Sequence, residues 1–254
     1  MTVVDNVVMI MANWGARGES ASEVAARTQR MIDLLLPLGY PFVKWAESES
    51  GAAWPDNSEE ATAFVKECIA RDDPDEGGER LERPEFGYQF MLYTGDYNGP
   101  DANVDFAFDI DAGSSRVHQE SRMNKISVMM MWKDPDQLGE LAAPLPFILK
   151  AFAAAWQPDY VTIYDDHVRE AQPMRYTSPL VGAMTWLADR LGTVPSALEG
   201  AKIERFEHGT LIDLRNPADQ SFPTAEHVAR VFDVLDATGV LGEIPAIQPA
   251  LSQG

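Results

Sequence analysis

The chain has 254 residues, 45% of them hydrophobic and 9% aromatic, and its 40 acidic against 20 basic side chains give a net charge of −20. That hydrophobic share excludes whole-chain disorder, and a chain of this length can bury roughly 70–75% of its unfolded surface, in one large domain or two small ones. The charge disfavours nucleic acid and anionic membranes as direct partners and favours a basic protein.

The start, Met-Thr-Val-Val-Asp, lacks a basic segment and its apolar run ends at Asn13, which argues against a secretory signal. No stretch approaches the roughly 18 apolar residues of a membrane span. With one cysteine, Cys68, there is no internal disulfide, and a reducing, cytoplasmic compartment is expected.

Val3 to Met11, rich in valine, methionine and isoleucine, predicts a buried strand. Ser20 with Glu23 forms a capping box, and Val24, Thr28, Met31, Leu35 and Leu38 continue at helical spacing to Gly39. Tyr40 to Trp45 reads as a short strand. The polar, acidic stretch Glu47 to Asn57 follows, and Asn57 with Glu60 starts a helix whose face carries Phe64, Val65, Cys68 and Ile69, so Cys68 reads as a packed thiol. Asp72 to Glu85 holds seven acids and two glycines and reads as a loop.

Tyr88 to Thr94 predicts a strand, and Gly95 to Pro100 the turn after it. Val104, Phe106, Phe108 and Ile110 alternate with Asp105, Ala107, Asp109 and Asp111, which is a strand with one buried and one acidic face. Ile126 to Trp132 supplies a third strand, completing an antiparallel meander.

Pro144 and Pro146 open a long helix with Leu145, Ile148, Leu149, Phe152 and Trp156 on its apolar stripe; it stops at Gln157 because Pro158 follows. Tyr160 to Tyr164 is a strand. Ser178 and Pro179 predict the cap and first position of a further helix carrying Trp186 and Leu187. Ala201 to Glu207 and Thr210 to Leu214 pair as a hairpin around His208-Gly209, and Thr224 caps a last helix with Val228, Val231, Phe232 and Leu235 inward and Gly239 at its end.

These elements predict an α+β fold: antiparallel sheets with helices packed on one side, in one compact unit of residues 1–254 with 246–254 as a tail. The halves 1–133 and 134–245 each read as helix, strand, helix and antiparallel strands, a pattern open to a diverged duplication.

The chain contains no phosphate-cradling Gly-x-x-x-x-Gly-Lys, no Gly-x-Gly-x-x-Gly and no Gly-x-Ser-x-Gly, and its four histidines are widely spaced. Two acidic groupings have the chemistry to hold a divalent cation, Asp105, Asp109 and Asp111 on one strand and Asp165-Asp166 with His167 after another. A metal-dependent hydrolase or nuclease built on either is the alternative reading, opposed by the charge and by the lack of a basic track for a phosphate backbone. No cofactor or metal is expected.

The acid is concentrated: residues 47 to 111 hold eighteen acids and four bases, net −14. Trp54 stands inside this region among small, polar or acidic neighbours, with no periodic face to bury it. Core packing and an interface role are both open for it, tryptophan being the residue type most enriched among interface hot spots.

The stretch Phe152-Ala-Ala-Ala-Trp156-Gln-Pro158-Asp159-Tyr160, then Ser178-Pro179-Leu180-Val181-Gly182, Trp186-Leu187, Phe206 to Ile212, Thr224 to Val228 and Thr238 to Leu241 form an ordered series. With Trp14, Arg17, Glu19, Arg27 and Trp45 upstream, this series resembles the bacterial immunity protein 52 family. Ala183 departs from it, the family tending to place tryptophan there. The resemblance implies a protein that binds and neutralises a cognate polymorphic toxin, typically one with a restriction-endonuclease-like nuclease domain, in interbacterial competition such as type VI secretion. It implies no catalytic residues. The candidate toxin-binding residues are Trp54, Asp96, Tyr97, Asp105, Asp109, Asp111, Asp165 and Asp166.

Overall fold

The computed structural model describes residues 6–48, 50–71, 80–95, 106–116, 124–132, 143–173, 175 and 177–247. Among them are nine strands and five α-helices, an α+β fold. The chain divides into two units, residues 13–127 with 245–254, and residues 1–12 with 128–244.

The 13–127 unit orders its strands β2 (Trp45–Glu47), β3 (Tyr88–Thr94), β4 (Ala107–Ala112) and β5 (Asn124–Trp132). The pairs β2–β3 and β3–β4 are antiparallel. Period-two alternation puts Phe90, Leu92, Phe106, Phe108, Ile110 and Ile126 on one face, all buried. Helix α1 (Ala21–Leu35) brings Val24, Thr28, Met31 and Leu35 to the same core and packs against α2 (Ser58–Glu67), which reaches β3. Both helices start where local chemistry directs. The Ser20 hydroxyl accepts from the Glu23 N–H while the Glu23 carboxylate accepts from the Ser20 N–H, and the Asn57 side chain accepts from the Glu60 N–H. The strand expected from Tyr40 to Trp45 is instead a turn that enters β2 at Trp45, with the Phe42 N–H donating to the Gly39 carbonyl.

In the other unit the order is β5, β1 (Asn6–Trp14), β6 (Tyr160–Asp165), β7 (Met184–Ala188), β9 (Gly209–Asp213) and β8 (Lys202–Phe206). The pairs β6–β7, β7–β9 and β8–β9 are antiparallel. Helix α3 (Leu145–Trp156) ends at Gln157 in the left-handed region, one residue before Pro158, and packs on β6 and β7. Helix α4 (Asp166–Glu170) follows β6 directly, and α5 (Ala225–Ala237) is capped by Thr224 and buries Val228, Val231, Phe232 and Leu235.

The segment read as a helix from Ser178 is the main correction. Residues 184–188 form strand β7, buried along its whole length between β6 and β9. A strand buried on both faces shows no alternation, so its run of apolar residues cannot be told from a buried helix by period. Pairing with two neighbours then outweighs the local helix-start signal. Gly182 admits the chain there: a Cβ on it would lie 2.2 Å from the Ile163 carbonyl oxygen, and Ala183, which is fully buried, donates its N–H to that same oxygen. Trp186 is therefore core, but from a strand, with its indole N–H donating to the Phe206 carbonyl.

Candidate functional site

The 13–127 unit has a second sheet face, opposite the one that carries its apolar core. Opposite the buried side of β3 and β4 stand Gln89, Met91 and Tyr93 and, paired with them in register, Asp111, Asp109 and Ala107. Gln89 is exposed and the others are half-buried. On the neighbouring β5 the same alternation brings out Lys125 and Ser127, because Asn124 and Ile126 point inward.

Lys125 organises the face. Its Nζ lies 3.0 Å from Asp109 Oδ2 and 3.1 Å from Asp111 Oδ2, so one ammonium is shared by two carboxylates. Partial burial pushes the Lys125 pKa down, but attraction to Asp111 and hydrogen bonding to Asp109 outweigh that, and it stands above the ordinary lysine value. The Ser127 hydroxyl reaches Asp109 at 3.5 Å. Among the described residues, this surface groups two acids with one base beside the half-buried Met91 and Tyr93. Nothing in the sequence marked Lys125. The strand predicted from the sequence begins at Ile126 and leaves Lys125 outside it; the expected meander sets β5 beside β4, but the placement of Lys125 between Asp109 and Asp111 is a tertiary fact.

The other candidates fall differently. Asp165 caps α4, its carboxylate accepting from the Val168 N–H at 2.8 Å, and Asp166 pairs at 3.0 Å with Arg169 one turn on. Asp96, Tyr97 and Asp105 lie outside the described residues. Among the described residues no group of three or more His, Cys, Asp or Glu side chains is placed to hold a metal ion.

Trp54 is not on the surface. It is 8% exposed, lies stacked with Phe90 at 6.2 Å and edge-on to Phe64 at 5.4 Å, and its indole N–H donates to Gln29 Oε1 at 2.8 Å. The backbone carries it inward: the Trp54 N–H donates to the Trp45 carbonyl and Ala53 bridges Ala46, so residues 52–54 run along the outer side of β2. Its candidate role as an exposed interface residue is thereby withdrawn.

The upstream residues Trp14, Arg17, Glu19 and Arg27 come together as a buried brace. The Glu19 carboxylate, with a side chain 4% exposed, takes both Arg17 and Arg27, and the Arg17 guanidinium lies 4.9 Å from the Trp14 ring centroid. The Arg17 N–H donates to the Ser114 carbonyl and the Ala16 N–H to that of Ala246. Breaking a buried pair of this kind strands a charge, which makes it a feature of architecture rather than an accessible surface. In the other unit Asp159 plays a similar part: it is fully buried and paired with Arg190, while the Ala188 N–H donates to its carbonyl.

Among known families, the one described as Immunity protein 52 matches residues 8–244 of this chain. Curated proteins gave no match. Among solved structures the chain is similar to one titled "Pseudomonas aeruginosa T6SS protein PA0821", at 12% identity and a TM-score of 0.47, over 96% of this chain and 79% of that one. No helix among the described residues is long and apolar enough to cross a membrane.

Proposed function

Because the chain belongs to the immunity protein 52 family, we propose that it binds and neutralises a cognate bacterial toxin, a basic nuclease with a restriction-endonuclease-like domain, in the cytoplasm of the producing cell. The family supports the immunity role. The observation that carries the finer reading is the concentration of acid, net −14 over residues 47 to 111, in the unit that also presents Asp109 and Asp111 on its second sheet face. A nuclease must present a basic surface to hold a phosphate backbone, and an acidic inhibitor gains both encounter rate and register from meeting it. The inhibitor needs no chemistry of its own.

Among the described residues, no observation favours the hydrolase alternative. Asp165 is spent on a helix cap, Asp166 on Arg169, and Asp109 and Asp111 on Lys125. The test is twofold. Co-expression should rescue cells from the cognate toxin, and the purified protein with magnesium, manganese or zinc should leave DNA and RNA intact. Metal-dependent cleavage lost in Asp109→Ala would overturn the reading.

A further inference from the structure

We propose that the second face of β3, β4 and the start of β5 is the surface on which the toxin docks, and that an arginine or lysine of the toxin takes the place of Lys125 between Asp109 and Asp111. This rests on the immunity reading above and adds to it the surface, the residue-level chemistry and a residue that sets specificity.

The argument starts from the two faces of the same strands. One is saturated: Phe90, Leu92, Phe106, Phe108 and Ile110 are buried, Phe90 against Phe64 of α2, and Phe106 and Phe108 against Phe42 and Trp45. The other presents Met91 directly opposite Asp109 and Tyr93 opposite Ala107, with the Asp109, Lys125 and Asp111 side chains 37%, 37% and 23% exposed. Methionine and tyrosine are residue types enriched at interfaces, and here they border the charged group. Charge complementarity selects the occupant: the described residues here group two acids with one base, in the acid-rich unit, so the face favours a cation over an anion.

Lys125 is built to yield its place. A lysine carries a compact, strongly hydrated charge on a flexible four-carbon stem, which can turn out to water when a second cation takes its two carboxylates. A guanidinium is more weakly hydrated and meets carboxylates through a fixed fork of donors, so it gains more from the same two oxygens. Until a partner arrives, Lys125 keeps Asp109 and Asp111 from repelling each other. It also screens the face against weakly basic surfaces, and that makes it a determinant of specificity.

The test uses a defined probe, the peptide acetyl-Leu-Arg-Leu-amide, with citrulline in place of arginine as an uncharged isostere. The side-chain carboxyl resonances of Asp109 and Asp111 are followed in the whole protein. The arginine peptide should shift both saturably and the citrulline peptide should not. Lys125→Met should tighten binding at least threefold, and Asp109→Asn with Asp111→Asn should abolish it, with melting temperatures held near wild type. An equal response to citrulline, or weaker binding in a folded Lys125→Met, overturns the proposal. Against the cognate toxin, the double Asn variant should lose at least tenfold in affinity. Neutralisation by that variant within threefold of wild type would remove this face and leave the immunity reading standing. If the wild-type chain does not neutralise the toxin at all, that reading fails and this proposal with it.

Discussion

Replacing Trp54 with alanine tests whether its burial has been read correctly. The side chain is 8% exposed, stacks on Phe90, meets Phe64 edge-on and donates to Gln29. Truncating a buried tryptophan costs about 3–5 kcal/mol, of which each aromatic pair contributes roughly 0.5–1.5 beyond its buried area. Loss of the Gln29 bond adds little, because Gln29 is half-exposed and water can take over its oxygen. For a chain of this size about 2–4 °C of melting temperature accompanies each kcal/mol, so the variant should melt roughly 6–20 °C lower. Trp54→Phe keeps an aromatic ring in place, loses the N–H, and should cost only about 1 kcal/mol. Urea unfolding and calorimetry on the three proteins supply the comparison. A Trp54→Ala protein within about 1 kcal/mol of wild type would refute the burial argument and return this residue to the candidate interface.

Asp165→Ala removes a helix cap and should cost about 1 kcal/mol without changing toxin binding; a binding loss at unchanged stability would mark Asp165 as an interface residue instead. The Asp236 and Asp189 pKa values are held down, first by hydrogen bonds from Arg175 and Arg205 respectively. A carboxylate whose folded pKa is lowered contributes stability that is present above its unfolded value, about 3.9, and lost as pH falls through the folded one. Stability should therefore decline below about pH 4, and less steeply in Asp236→Asn, as denaturant midpoints across pH 5 to 2 will register; identical slopes would count against the pairing. Association with the toxin should slow markedly as salt rises, while dissociation changes less, because exposed charges are screened beyond roughly 8 Å at physiological ionic strength. Salt-independent association in stopped flow would show that the acidic region is only solubilising.

What was legible in the sequence was whatever is decided within a turn or two of chain. Ser20, Asn57 and Thr224 were readable as caps because each side chain answers an N–H three residues on. The two faces of β4 were readable because a half-buried strand writes its burial as alternation. Asp165 belonged to this class as well: it stands three residues before Val168 at the end of a strand, a cap signal obscured by its acidic neighbour.

Tertiary structure decided the rest. Strand β7 is buried on both sides, so nothing periodic distinguishes it from a helix, and only its hydrogen bonds to β6 and β9 settle its form. Trp54 looked stranded among polar neighbours because its partners, Gln29, Phe64 and Phe90, are distant in sequence and meet it only when α1, α2 and β3 are assembled. Lys125 acquires its two carboxylates the same way, from the register of β5 on β4. Capping and alternation are local properties of a backbone, whereas side-chain partnership depends on which strands lie side by side, and that is chosen by the burial of the whole core at once.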